Sequence, residues 1–210
     1  MGVRTIVNIA SHSETTVPWK IPRKSLEGEG LVFLDWPIEK EAFSIDQLLK
    51  KYEAYKKDGV NSVSQNYIQL LQNGSAVIRR ILLLLKENSN EAVLIHCTLG
   101  KDRTGMIFVL LFLLVGVSGA DIVREYGLST KGLTSCVDSI EAYLKKVTGN
   151  RDGQRKQAED IILTGEENMI ATIQAIRTVY GTVETYLMRE CGFTDEEIGD
   201  LKSHLLCSAP

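Results

Sequence analysis

The chain has 210 residues, 44% of them apolar and 24% charged, which suits one ordinary domain with a real core. Against 27 Asp and Glu stand 24 Lys and Arg, a net charge of -3, so the basic excess of a general nucleic-acid binder is missing. No Gly-X-Y period, Pro-rich tract or long like-charge block is present, which excludes fibrous and fully disordered classes.

The opening MGVRTIVNIASHSET has neither a basic region nor a small-residue cleavage site, so no signal peptide is expected. Thr5 to Ile9 is short, β-branched and apolar and predicts a strand. Leu31 to Leu34 predicts a second, ended at Trp36-Pro37 because the residue before a proline is pushed out of the helical region. Between them, Pro18 to Gly30 reads as a loop. Ser44 and Gln47 form a capping box opening a helix through Leu48, Leu49, Tyr52 and Tyr55, which Lys57-Asp58-Gly59 stops. A second helix covers Val63 to Gln72. A third, capped by Ser75, carries Val77, Ile78, Ile81, Leu82, Leu84 and Leu85 on one wide apolar face.

Ala92 to Ile95 is an uninterrupted apolar run, the pattern of a parallel strand buried on both faces. HCTLGKDRTG follows at residues 96–105, and then the run Met106 to Val117. That run has twelve residues where a membrane span needs roughly twenty, so it predicts a buried helix and no membrane span. Strand, tight polar loop and buried helix form a βα unit, with the loop at the carboxyl end of the sheet's central strand, where ligands meet a helix N-terminus.

Ser118 with Asp121 caps the next helix, through Val123 and Tyr126. Lys131 to Asn168 is mostly polar and reads as a surface excursion, with a helix at Val137 to Val147. Met169, Ile173, Ile176, Tyr180, Val183 and Leu187 lie on one face of a single long helix, with Gly181 inside it at a cost of on the order of 1 kcal/mol relative to Ala. Thr194 with Glu197 opens the last helix, through Leu201 and Leu205. Cys97, Cys136, Cys191 and Cys207 show no CxxC spacing, which argues against structural zinc and a disulfide framework and for a reducing, cytoplasmic setting. The expected fold is one α/β domain over 1–210, a small, largely parallel sheet flanked by helices.

The segment from His96 to Gly105 is a CX5R phosphate-binding loop, and each part has a task in phosphoryl transfer to sulfur. The attacking species is the thiolate, and a free thiol, with a pKa of about 8.5, is largely protonated at neutral pH. Backbone N–H groups of Thr98, Leu99, Gly100, Lys101, Asp102 and Arg103, ending at a helix N-terminus, favour the Cys97 anion and bind phosphate oxygens. The planar fork of Arg103 holds two of those oxygens at once. Thr104 can place its hydroxyl near the sulfur to help the departing thiolate, Gly105 lets the helix pack tightly, and His96 supports the loop through the backbone. A Walker A loop is excluded, because Gly100-Lys101 is followed by Asp102 and lacks the earlier glycine.

HCTLGKDRTG resembles the cysteine-dependent tyrosine phosphatases, and more narrowly the atypical tyrosine/serine phosphatases of the mycobacterial protein tyrosine phosphatase B type, whose loop reads HCxxGKDRTG. The opening GVRTIVNI, the apolar helix after the signature and the Met169…Leu187 segment extend the resemblance over most of the chain. It implies the cysteine-phosphatase fold, a cysteinyl-phosphate intermediate and Asp102 as the proton donor. Asp35, at the end of the second strand, is the geometric rival for that role. The resemblance also implies helices across the pocket, making 131–168 a lid or, alternatively, a solvated connection. Members usually carry a further N-terminal segment, so a shortened form is expected, and Asn8-Ile9-Ala10 stands where the family often has Asp-Leu-Arg. The expected substrates are phosphotyrosine proteins. Phosphoinositide or dual-specificity substrates are the alternative, hinted at by Lys101, and an inactive phosphate-binding module is the alternative of another class. Neither metal nor cofactor is expected, since the loop amides and Arg103 supply the positive charge.

Overall fold

The β-branched segment VRTIVN forms strand β1 (Val3–Asn8), with its last four residues buried. In the computed structural model, which describes residues 2–11, 14, 30–39, 45–88 and 91–207, β1 lies between two parallel partners. These are β2 (Val32–Asp35) and β3 (Ala92–His96). Asn8 pairs with both Asp35 and His96, so the three carboxyl ends finish level. Two bonds continue the register past the strands: Ile9 N–H to the His96 carbonyl at 2.8 Å and Trp36 N–H to that of Asn8 at 2.9 Å. The small parallel sheet flanked by helices is therefore present.

One feature of that sheet corrects the expectation. Among the described residues β3 is an outer strand and β1 the central one, so the 96–105 loop follows an edge of the sheet. Ala92 and Leu94 are exposed, Leu94 by 40%, while Ile95 is buried, so among the described residues β3 is covered on one face more than on the other. An unbroken apolar run does not tell a strand covered on both faces from one covered on a single face.

The helices follow as α1 (Ile45–Asn73), α2 (Ser75–Glu87), α3 (Asp102–Leu114) and α4 (Gly119–Leu133). After a 3-10 turn at Thr134–Cys136 come α5 (Val137–Thr148), α6 (Gln154–Ile162), α7 (Glu166–Tyr180), α8 (Val183–Arg189) and α9 (Asp195–Cys207). Gly59 breaks α1 at φ 61°, but the helix resumes at once, so the expected stop is a kink. Ser44 lies outside the described residues. Ser75 is the first helical residue of α2, whose cap position is Gly74. Ser118 caps α4 by accepting the Asp121 N–H at 3.2 Å. Thr194 and Glu197 exchange reciprocal bonds of 3.1 and 2.9 Å at the start of α9.

The expected single helix from Met169 to Leu187 is two. Tyr180 ends α7, and Thr182 starts α8 by accepting the Thr185 N–H at 3.1 Å. The apolar period runs across the break because both helices press Met169, Ile173, Ile176, Val183 and Leu187 into the same core. At the centre of that core is α3, whose Met106, Ile107, Val109, Leu110 and Leu114 are buried at about 1.5–3 kcal/mol each. Among the described residues, no single helix is long and apolar enough to cross a membrane.

The polar excursion has its own small core of Val137, Ile140, Leu144, Ala158, Ile161 and Ile162, on α5 and α6. Gln154 is buried in the hairpin between them, donating 2.8 Å bonds to the Thr148 hydroxyl and the Gly149 carbonyl at the end of α5. This hairpin packs against Leu99 of the 96–105 loop and against Leu49 and Tyr52 of α1.

Candidate active site

Between the end of β3 at His96 and the start of α3 at Asp102, five residues turn the chain. Gly100 makes the turn at φ 68°, in the left-handed region that a side chain would strain. The turn is tied at both ends. The Cys97 N–H donates to the Thr104 hydroxyl at 2.9 Å, and His96 Nδ1–H donates to the Cys97 carbonyl at 2.9 Å. His96 thus contacts the backbone, and the recorded contact of Thr104 is with the amide of Cys97. A Cβ at Gly105 would lie 3.2 and 3.3 Å from the Tyr126 ring, so a side chain there would push that ring by a few tenths of an ångström where the first turn of α3 meets α4. The N-cap residue of α3, Lys101, gives no side-chain bond to the first turn of that helix.

Cys97 is buried, with 6% exposure, and Arg103 lies within its electrostatic reach. Burial works against the guanidinium, but its hydrogen bonds to Glu14 and the charges of Cys97, Glu14 and Glu39 outweigh this and raise its pKa. Nη1 and Nη2 of Arg103 donate to the two oxygens of Glu14 at 2.7 and 2.6 Å. Nη2 also reaches the Thr98 hydroxyl at 3.2 Å, and that hydroxyl donates to Glu14 Oε1 at 2.6 Å. From the other side, Ser11 donates its N–H and its hydroxyl to Glu14 Oε2, at 2.9 and 2.6 Å. Burial opposes ionisation of Glu14, but Arg103, Ser11 and Thr98 prevail and bring its pKa down to about 2. Glu39 Oε2 stands 3.9 Å from Arg103 Nη1.

The middle of the loop faces away from this cluster. Leu99 packs against the α5–α6 core. Lys101 is 3% exposed, and its Nζ donates to the carbonyls of Ile161 and Leu163 at 2.6 and 3.2 Å. The ammonium also lies 5.5 Å from the centre of the Tyr52 ring. Asp102 accepts a short hydrogen bond from the Tyr67 hydroxyl, which also meets the Tyr126 hydroxyl at 2.7 Å. Burial pushes the Asp102 carboxyl up, but Lys101, Lys51, the Tyr67 bond and Arg103 together hold it below the ordinary value. It borders a cavity of about 360 Å³ shared with Tyr52, Tyr55, Tyr67, Tyr126 and Lys101. Asp35 lies at the other end of the strand row, accepting from Asn8 Nδ2 at 2.9 Å. Cys97, Cys136 and Cys191 are free thiols, and Cys136 is half-buried.

Cys97, Arg103 and Thr98 thus form one group with Glu14 and Ser11, while Lys101 and Asp102 form another with Tyr67 and the end of α6. Sequence reasoning missed Glu14, Glu39 and Tyr67. A signal existed for Glu14: Ser11-x-x-Glu14 has capping-box spacing, and Glu14 N–H returns a 3.1 Å bond to the Ser11 carbonyl. Nothing in the local sequence pairs Tyr67 with Asp102, 35 positions away.

Residues 1–207 match the model of the tyrosine phosphatase family. The chain is also 31% identical, over 148 residues, to a tyrosine-protein phosphatase of Nostoc commune, a match covering 69% of this chain and 49% of that protein. The chain thus spans about half the length of the curated relative it matches.

Proposed function

The chain belongs to the tyrosine phosphatase family, and we propose that it hydrolyses phosphotyrosine in proteins through a cysteinyl-phosphate on Cys97. The observation that carries this reading is the tight turn from Cys97 to Arg103, in which the Cys97 N–H is tied to the Thr104 hydroxyl at 2.9 Å and Arg103 Nη2 lies 3.2 Å from the hydroxyl of Thr98, the residue after Cys97. In the first step the thiolate attacks phosphorus. The S–P bond forms, the P–O bond to the phenol breaks, and the leaving oxygen takes a proton from Asp102. In the second step water attacks the cysteinyl-phosphate and gives a proton back to Asp102, and inorganic phosphate leaves the regenerated thiolate. Amides of residues 98–103 and the Arg103 fork hold the non-bridging oxygens in both steps. Thr104 retains its hydroxyl proton to offer the departing sulfur, and no metal or cofactor enters the reaction.

Asp102 stands as a carboxylate in the free loop, whereas the first step needs it protonated. A phosphate dianion in the cradle raises its pKa by like-charge repulsion, which favours reaction on the acid side of neutrality. The burial of Lys101 beneath two carbonyls favours singly phosphorylated protein substrates over phosphoinositides, since this ammonium is already committed. We read the chain as one domain acting in a reducing, cytoplasmic setting, with the α5–α6 hairpin as the cover of the loop.

A chromogenic aryl phosphate assay tests the reading. Turnover is expected in the parent and absent in Cys97→Ser, and Arg103→Ala should lose roughly a hundred- to a thousand-fold in kcat/KM. A parent that binds phosphotyrosine peptide without turning over aryl phosphate is an inactive binding module instead. Faster hydrolysis of phosphoinositides than of phosphotyrosine peptides would transfer the assignment to lipids.

A further inference from the structure

We propose that Tyr126, acting through Tyr67, is the positioning residue of the Asp102 carboxyl, reserving Oδ1 so that Oδ2 is the oxygen that carries the transferable proton. The inference rests on the reading of Asp102 as proton donor and names a residue that reading does not use. Three helices meet at these side chains: Tyr67 comes from α1, Asp102 opens α3 and Tyr126 comes from α4. Tyr67 and Tyr126 are both buried. The Tyr126 ring rests on the first turn of α3 at Gly105, which has no side chain to displace it.

Proton counting gives the hydroxyl chain its direction. An ionised carboxylate has no proton to offer, so the proton between Tyr67 and Asp102 belongs to Tyr67. A phenol has one proton, and that of Tyr67 is thereby used. The 2.7 Å contact between the Tyr67 and Tyr126 hydroxyls is then made with the proton of Tyr126. Donation runs from Tyr126 to Tyr67 to Asp102, and each bond polarises the next. Both phenols keep their protons, because burial and the Asp102 charge push their pKa values up.

The carboxylate is engaged on one oxygen. Tyr67 donates to Oδ1, and the Lys101 ammonium stands 3.9 Å from that same atom. Among the described residues no hydrogen bond or ion pair reaches Oδ2. The Asp102 side chain keeps 20% exposure and borders the cavity of about 360 Å³, so Oδ2 is the oxygen left to take up and pass on a proton. Other charged and titratable groups face this carboxyl: Lys51, Tyr52 and Tyr55 from α1 and Arg103 from α3, with Asp160 of α6 and Glu167 of α7 around the shared cavity. Among the described residues the hydroxyl chain includes none of them, so removing one hydroxyl leaves their charges in place.

Tyr126→Phe keeps the ring and removes the donor. The probe is the Asp102 carboxyl itself, titrated by NMR in protein carrying isotope-labelled aspartate, assigned with Asp102→Asn and without substrate. Loss of the cooperative bond should raise the Asp102 pKa by roughly a few tenths of a pH unit. In the Tyr67→Phe background the same substitution should leave the value where Tyr67→Phe alone puts it. A fall in pKa would overturn the proposal, since Tyr126 is then an acceptor competing for the Tyr67 proton. No change overturns it too, by reducing Tyr126 to a packing residue. An equal rise in the Tyr67→Phe background does the same, because Tyr126 then acts by another path. Should Tyr126→Phe fail to fold in a thermal melt, Gly105→Ala displaces the ring instead. It is expected to move the titration in the same direction, and an unmoved titration counts against the proposal. The kcat profile separates this chain from the hydrolytic reading, since its alkaline limb should follow the titration to higher pH in Tyr126→Phe. A limb that stays while the titration moves sinks Asp102 as the acid and leaves the positioning intact. A limb and a titration that both stay sink the positioning.

Discussion

The ammonium of Lys101 lies 2.6 Å from the carbonyl of Ile161, so the 96–105 loop and the end of α6 are joined by a buried charge-assisted hydrogen bond. With the second bond to Leu163 at 3.2 Å, this one side chain satisfies two carbonyls where α6 runs out. The bond makes the position of the α5–α6 hairpin a property of the loop itself.

Replacing Lys101 by Met keeps much of the length of the side chain and removes its donors. The buried carbonyl of Ile161 and the part-buried one of Leu163 are then left without this partner, a loss of about 1–3 kcal/mol. Hydrogen exchange in residues 137–162 should rise well above that of α3 in the same molecule. Equal protection of the hairpin in parent and variant would refute the latch.

Asp102 and Asp35 are separated by their effects on poor leaving groups. Asp102→Asn should slow hydrolysis of phenyl phosphate by on the order of a hundred-fold or more, and an activated nitrophenyl ester much less. Asp35→Asn should change either by no more than a few-fold, since Asn8 holds its carboxylate at the strand end. A loss on phenyl phosphate confined to Asp35→Asn would reassign the acid.

The Tyr67 hydroxyl donates to the ionised form of Asp102 and so lowers its pKa. Tyr67→Phe removes that donor, and the Asp102 pKa should rise. The alkaline limb of the kcat profile, where the protonated acid is lost, should then move to higher pH. A limb that stays in place or moves to lower pH contradicts the assignment of Asp102 as acid.

The Glu14 carboxyl, with an ordinary value of 4.5, sits at about 2 in the folded protein, and its side chain is 25% exposed. A folded pKa below the unfolded one stabilises the fold at any pH above the unfolded value. That stability is lost as pH falls through about 4.5 toward 2. The shift corresponds to on the order of 3 kcal/mol. Urea unfolding should show this loss between pH 5 and pH 2 in the parent, and a flatter acid limb in Glu14→Gln. Parallel curves for the two proteins would show that the Glu14–Arg103 pair contributes no net stability.

Local chemistry explains which elements were legible. The caps at Ser118 and Thr194 bond to a residue three positions on, so their partners are visible in the chain itself. β1, β2, β3 and α3 carry their apolar runs within one window. Gly181 was harder, because an apolar period cannot tell one helix from two helices facing the same core. The stretch around Gln154 looked solvated because its hydrogen bonds close a hairpin that is unrecognisable until α5 is in place.

The amino-acid sequence by itself determined the local build of the 96–105 loop. Cysteine and arginine lie six positions apart, Gly100 allows the turn, and the apolar run that follows can only become a buried helix, all matters of local backbone geometry and hydrophobicity. Tertiary structure decided which charges meet. Glu14 reaches Arg103 across 89 positions, Tyr67 reaches Asp102 across 35, and Lys101 turns toward Ile161, 60 positions away. The reason is electrostatic: a buried charge must find a counter-charge or a dipole, and only the folded chain determines which one lies within about 3 Å.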